Sequence, residues 1–418
     1  MDAGSQPVRV LVVSGEASGD AYAAVLTRAL KAKAQGPIEI FGMGGSQARA
    51  AGMETVIDSE THASVMGLTE IIGSLRAISK AFHALVQLAA KRRPDVVVLI
   101  DFPDFNLRLA KALYKQKLPV LYFVTPQVWA WRRGRVKDIA KYTTKVAPIF
   151  PFEEHFYQQH GVDAEYVGHP FLDRPPLEIE RDAFLRTLRL DPQRPIVALL
   201  PGSRVAEVER LLEPMCEAFL KLRQARPGLQ AIIPVPSTLP LAWFKQRTAG
   251  IPDLALVSGM AREVLHVSRV GVVASGTATV EAALEGLPFV VVYKLSPVTY
   301  RIARWLVRGV RHFAMANLVA GRKVVEELLQ DDVTGDRIAL ELERILGDPK
   351  HERTLRARLG LVRERLLVGK DPERTAAERA AEFALSLAAS RKRSGKRSKR
   401  ADWNSMEQDT PRRANAKR

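Results

Sequence analysis

One cysteine, Cys216, in 418 residues excludes an internal disulfide and any cysteine-rich metal site. No stretch approaches the roughly 20 consecutive apolar residues that cross a bilayer. Near the start, the apolar run Val8 to Val13 has no basic flank and is too short for a secretory signal, so it reads as a buried strand. Together these absences predict a reducing, cytosolic location. The turn after that run, SGEASGD (14–20), matches neither G-x-x-x-x-G-K-[ST] nor G-x-G-x-x-G, which leaves a P-loop and a dinucleotide fingerprint without support.

What is present is a globular composition, with 47% hydrophobic and 26% charged residues, and a length that predicts two domains. The formal charge of +17 is uneven: residues 391–418 carry eleven Lys or Arg against three Asp or Glu. Their basic, serine-containing start, RKRSGKRSKR, reads as a disordered tail from residue 390, either a solubilising extension or a loose attraction for nucleic acid or anionic lipid.

Apolar strands alternating with helices run through the chain twice. The first series is Val8–Val13, Ile38–Phe41, Val96–Ile100, Val120–Val124 and Val146–Ile149. A pause at Pro175 and Pro176 precedes the second: Ile196–Leu200, Leu229–Val235, Leu254–Val257, Val270–Ala274 and Phe289–Tyr293. Continuous apolar strands between helices predict an α/β fold with parallel sheets covered on both faces. Two such units leave a cleft, and ligands of such sheets lie beyond the carboxyl ends of the strands. After Val324 the chain reads as mainly helical.

The strand ends carry the chemistry. In ASGTATVEAAL (274–284) a strand runs through Ser275, Gly276 and Thr277 into a helix, where free N–H groups and the helix dipole suit a phosphate and Glu281 suits a ribose; a plain capping turn is the alternative. LLPGSRVAEVER (199–210) repeats that junction, with the Arg204 guanidinium able to fork onto phosphate oxygens. Glu16 and Asp20 put carboxylates at the cleft mouth, to bind sugar hydroxyls or cap a helix. LIDFPDFN (99–106) ends a strand in Asp101, the first choice for a general base, with Asp104 or Asn106 as a helix cap. Arg301, Arg304, Arg308 and Arg311 recur at helical spacing, as a solvated face or one for anionic lipid, and Leu68 to Leu85 is an apolar stripe for core packing or the same membrane.

VSGEASGD, VMG (65–67), IDFPDFN, TPQVWAWRRGRV (125–136), FPFEEHFY, VGHP, LLPGSR, SGTATVEAAL and NLVAGR (317–322), in this order over roughly residues 8–386, closely resemble the lipid-A-disaccharide synthase family. The resemblance implies two Rossmann-like domains of the GT-B architecture at the cytoplasmic face of a Gram-negative inner membrane. It implies transfer of 2,3-diacylglucosamine from its UDP derivative to the 6-hydroxyl of 2,3-diacylglucosamine 1-phosphate, giving a β-1,6 disaccharide and UDP without a cofactor or metal. Its acidic catalytic positions fall on Glu16 and Asp101. Its substrate-binding positions fall on Gly202, Ser203, Arg204, Met260, Ser275, Gly276, Thr277, Glu281 and Asn317. Phe102 and Gln127 depart from the residues often found there. Implied units are 1–174 for acceptor and catalysis, 175–366 for UDP-sugar, a helix over 367–389 packing back on the first unit, and the tail. Contact with anionic inner-membrane lipid and a homodimer are further expectations, and nucleic acid is not an expected partner.

No two aspartates stand at D-x-D spacing, and Val273 rather than a glutamate lies eight residues before Glu281, so direct displacement with inversion is preferred to a metal-bridged or retaining route. A UDP-sugar epimerase would share the nucleotide loop but need no acyl-binding surface. A nucleic-acid binder would depend on the tail and show steep salt dependence.

Overall fold

Val96–Ile100, Ile196–Leu200 and Val270–Ala274 bury every residue they contain, as strands covered on both faces must. Full burial of each Val, Leu or Ile contributes roughly 1.5–3 kcal/mol, so these short runs set the centres of the sheets. The computed structural model describes residues 6–59, 68–129, 133–296, 300–301 and 312–408, with the side chains of residues 17, 68–75, 133 and 394–408 outside the description. VMG (65–67) and all but Arg301 of the Arg301–Arg311 stretch lie outside the described residues.

The first sheet contains β1 (Val8–Ser14), β2 (Ile38–Gly44), β3 (Glu54–Asp58), β4 (Val96–Ile100), β5 (Val120–Phe123) and β6 (Lys145–Ala147); the second contains β7 (Ile196–Leu200), β8 (Gln230–Val235), β9 (Leu254–Ser258), β10 (Val270–Ala274), β11 (Phe289–Tyr293) and β12 (Glu326–Leu329). Their orders are β3-β2-β1-β4-β5-β6 and β12-β11-β10-β7-β8-β9, with every described pairing parallel. Each sheet is doubly wound, and its strand order reverses between its first and fourth strands. β3 and β12 were absent from the expected strands; after Val324 the chain is mainly helical, as expected, with β12 its added strand. Both are outer strands: ETVID buries no residue and EELL only Leu328, so neither carries a continuous apolar run.

The helix Leu68–Arg92 puts Leu85 into a core on one face of the first sheet, with Ile78 and Phe82 packed against it. A C-terminal strap ties the second unit back to the first. Tyr166 OH donates to Leu366 O at 2.6 Å, and the Asp173 carboxylate receives Lys370 Nζ at 3.1 Å and Ala376 N at 2.7 Å. The final helix, Ala376–Gln408, buries Ala377, Ala380, Ala381, Ala384 and Ala388. These small side chains permit close approach to the helix Ala17–Lys33, whose Lys33 pairs with Glu382 at 3.1 Å. The helix carries on past residue 390, into the stretch whose composition reads as disordered.

Candidate active site

Register brings the predicted residues together in pairs. Ser14 lies beside Ile100 across β1 and β4, so the chain emerges at Glu16 and Asp101 from adjacent strand ends. Val273 lies beside Leu200 across β10 and β7, so Gly202–Arg204 and Ser275–Thr277 emerge together from the second sheet. These are the two points of strand-order reversal, where a crevice opens.

Asp101 and Phe102 both adopt left-handed backbone, with φ of 46° and 48°. For residues other than glycine such geometry costs on the order of 1–3 kcal/mol each and needs surroundings that impose it. Asn106 Nδ2 donates to Asp101 O at 2.8 Å and to Ile100 O at 3.1 Å, and Tyr122 OH donates to Asp101 O at 2.7 Å. Asn106 is thus a clamp on the strand end, while Asp104 pairs with Arg135. The Phe102 ring stacks on Phe105 and lies 2.3 Å from where a Cβ on Gly15 would stand, which accounts for glycine there.

Burial pushes the Asp101 carboxyl up to about 6, and the negative charge of Glu16 adds to it; the Phe102 N–H and Arg204 pull the other way. Arg204 Nη2 donates to Glu16 Oε1 at 3.2 Å and Oε2 at 3.0 Å, an ion pair that crosses from one sheet to the other. With side chains 64% and 41% exposed it stabilises by no more than about 1 kcal/mol, so an incoming anion can replace the carboxylate at little expense. Gly202, at φ 109°, lies where a Cβ would meet Glu207 Oε2 at 2.5 Å. That Glu207 carboxylate accepts from Ser203 N at 3.2 Å and Arg204 N at 3.4 Å. These two donors are therefore engaged, and the Arg204 guanidinium lies between Glu16 and Glu207, whose Oε1 is 3.5 Å from Nη1.

In the second turn, Ser275 N donates to Val292 O at 2.9 Å and its hydroxyl to Phe313 O at 3.0 Å. The N–H groups of Gly276, Thr277 and Ala278 have no partner among the described residues, and Gly276, at φ 152°, leaves open space beside them. Glu281 pairs with Arg174, whose guanidinium lies 3.9 Å over the Phe171 ring. Tyr22, buried between Asp101 and that pair, has its hydroxyl pushed up mainly by burial and next by Asp101.

A family model described as lipid-A-disaccharide synthetase matches residues 10–372. The lipid-A-disaccharide synthase of Koribacter versatilis is 45% identical over 383 residues, covering 91% of this chain and 99% of that protein. Its counterpart in Myxococcus xanthus is 44% identical over 387 residues, covering 92% and 98%. This chain belongs to the lipid-A-disaccharide synthase family. It is a glycosyltransferase of lipid A biosynthesis. The fold is GT-B: a Staphylococcus aureus MnaA–UDP structure superposes with a TM-score of 0.63 at 12% identity, covering 91% of this chain and 97% of that one. Glycyrrhiza uralensis UGT73P12, in complex with glycyrrhetinic acid 3-O-monoglucuronide, gives 0.62 at 12%, covering 96% and 100%.

Within this lipid-A-disaccharide synthase fold the expected place of Asp20 at the cleft mouth changes, while Asn317 and Met260 acquire defined surroundings. Asn317 is fully buried. Its Oδ1 accepts from Val324 N at 2.7 Å and Val325 N at 2.9 Å, while Nδ2 donates to Val325 O at 3.0 Å and Glu327 Oε1 at 2.7 Å. Its hydrogen-bonding capacity is spent on the frame, where it steadies Glu327, which accepts from Phe313 N at 3.0 Å and Ala314 N at 2.9 Å. Asp20 is also buried and accepts from Gly45 N at 2.6 Å and Gln47 N at 2.9 Å, so it caps the helix Ser46–Ala50 rather than facing the cleft. Met260 is 41% exposed at the end of β9, two strands from the β7/β10 crevice.

Sequence reasoning overlooked Arg174, Glu207 and Glu153. Glu207 was findable as the acid three residues into a helix. Arg174 had no local signal; it follows the short turn Pro170–Asp173, which His169 starts by accepting Phe171 N on Nδ1 at 3.2 Å. Burial pushes the Glu153 carboxyl up to about 8. It accepts from Thr125 Oγ1 and Trp129 Nε1, each at 3.0 Å, which fixes the loop beyond β5 beside Asp101.

Proposed function

We propose that the chain is an inverting transferase that moves 2,3-diacylglucosamine from UDP-2,3-diacylglucosamine to the 6-hydroxyl of 2,3-diacylglucosamine 1-phosphate. The β-1,6-linked disaccharide 1-phosphate and UDP are the products. The observation that carries this reading is the line of charge from Asp101 through Glu16 to Arg204, which joins the two strand-order reversals across the cleft.

In this scheme residues 175–366 hold the donor. Arg204 and the free N–H groups of Gly276 and Thr277 receive the diphosphate, with fixed donors suited to the charge that grows on the leaving group. Ser275 holds that turn through Phe313. Glu281 exchanges Arg174 for the ribose hydroxyls, and Met260 offers apolar surface toward the outer part of the nucleotide. Residues 1–174 present the acceptor, whose 6-hydroxyl gives its proton to Asp101 as its oxygen bonds to the donor's anomeric carbon and the bond to UDP breaks. Glu16 keeps Arg204 in place before the donor arrives. The acylated substrates would be met at anionic lipid on the cytoplasmic face of the inner membrane.

Purified protein supplied with both acylated sugars should release one UDP per disaccharide formed. Turnover of UDP-N-acetylglucosamine alone to its epimer, without disaccharide, would replace this reading with an epimerase. A base with a pKa near 6 predicts kcat/KM rising with pH through about 6. Glu16→Gln removes the neighbouring negative charge and frees Arg204, and both changes favour ionised Asp101, so the rising limb should move to lower pH. A limb that stays in place or moves up argues against Asp101 as the base.

A further inference from the structure

At the amino-terminal edge of the first sheet, the far end from the catalytic turns, lies a cavity of about 700 Å³. It forms where the segments entering β5 and β6 meet the last helix. Four cations line it, Lys115, Lys117, Lys141 and Arg391, and no carboxylate does. Its floor is apolar, with Leu118 and Leu387 beside the rings of Tyr114 and Tyr142, which meet edge to face at 5.5 Å.

Lys141 lies in the last turn of the helix Val136–Tyr142, and Lys115 directly follows Tyr114, the last residue of Pro103–Tyr114. Helix dipoles alone would favour those two. They do not account for Lys117, or for Arg391, which arrives on the last helix and donates at 2.7 Å to Pro94 O, 297 residues away. Arg391 is held below its ordinary range by burial first and then by Arg93, with Asp95 opposing. Asp95 itself is shared with Lys392 at 3.4 Å and accepts from Arg9 N at 2.9 Å. Lys115, Lys117 and Lys141 have no carboxylate partner among the described residues. Like charges gathered over an apolar floor repel one another, and an anion with an apolar neighbour group relieves that repulsion.

We propose that this groove is a second binding site, remote from the cleft, for a phosphate group carried on a small ester or on a lipid headgroup. The full chain should be acetylated with an N-hydroxysuccinimide ester and each lysine's rate read by mass spectrometry. The two probes are inorganic pyrophosphate and phosphatidylcholine vesicles with or without phosphatidylglycerol. One of them should slow Lys115, Lys117 and Lys141 at least about fivefold, the change that roughly 80% occupancy produces. Exposed Lys245, in the second unit, should keep its rate. Pyrophosphate protection that persists in Arg204→Gln marks a soluble phosphate ligand; protection by phosphatidylglycerol vesicles alone marks a headgroup. The double variant Lys117→Gln/Lys141→Gln should lose the protection at Lys115. If neither probe protects the three lysines, or Lys245 is slowed equally, the groove has no site.

Discussion

Replacing Asp101 by Asn should lower kcat by about 10²- to 10⁴-fold, the range that a positioned general base contributes, with little change in donor KM because the diphosphate donors are untouched. The same substitution should stabilise the fold. Burial and Glu16 raise the Asp101 carboxyl from 3.8 to about 6, so the folded state binds the proton more tightly than the unfolded chain does. Ionisation therefore costs stability progressively between about pH 4 and pH 6 and in full above pH 6, with a ceiling of about 3 kcal/mol. An amide carries no such cost. In urea at pH 7 the Asn variant should be more stable than the parent, and below pH 4 the two should coincide. Unchanged kcat with increased stability would leave Asp101 a buried acid with no part in the reaction.

Asn317→Leu should destabilise the protein by about 3–5 kcal/mol, because it strands two backbone N–H groups and a carbonyl in a buried site and removes one donor from Glu327. Glu327 in turn orders Phe313 and Ala314, and Phe313 O receives the Ser275 hydroxyl. The loss should thus appear first in the urea midpoint and second in donor KM. A variant with the parent's unfolding midpoint and a raised KM would put the side chain in contact with the nucleotide after all.

A charged strand end and the groups that hold it were legible together where they are close in sequence. LIDFPDFN contains both Asp101 and its clamp Asn106, and LLPGSRVAEVER contains both Arg204 and Glu207. Side-chain direction was not legible for Asn317 and Asp20, polar residues in motifs whose side chains turn inward. A motif states which residues stand together, and side-chain direction depends on what packs beyond it.

The sequence by itself determined the two doubly wound sheets. Strands buried on both faces must be apolar throughout, so β4, β7, β10 and β11 were legible to the residue, whereas the outer strands β3 and β12, with little to bury, were not. Only the tertiary structure decided the partners across the cleft. Arg204 and Glu16 are 188 residues apart and Arg174 and Glu281 are 107 apart, and no local pattern encodes such pairs. They exist because two independently wound sheets, strapped together by the last helix, bring their strand-order reversals face to face.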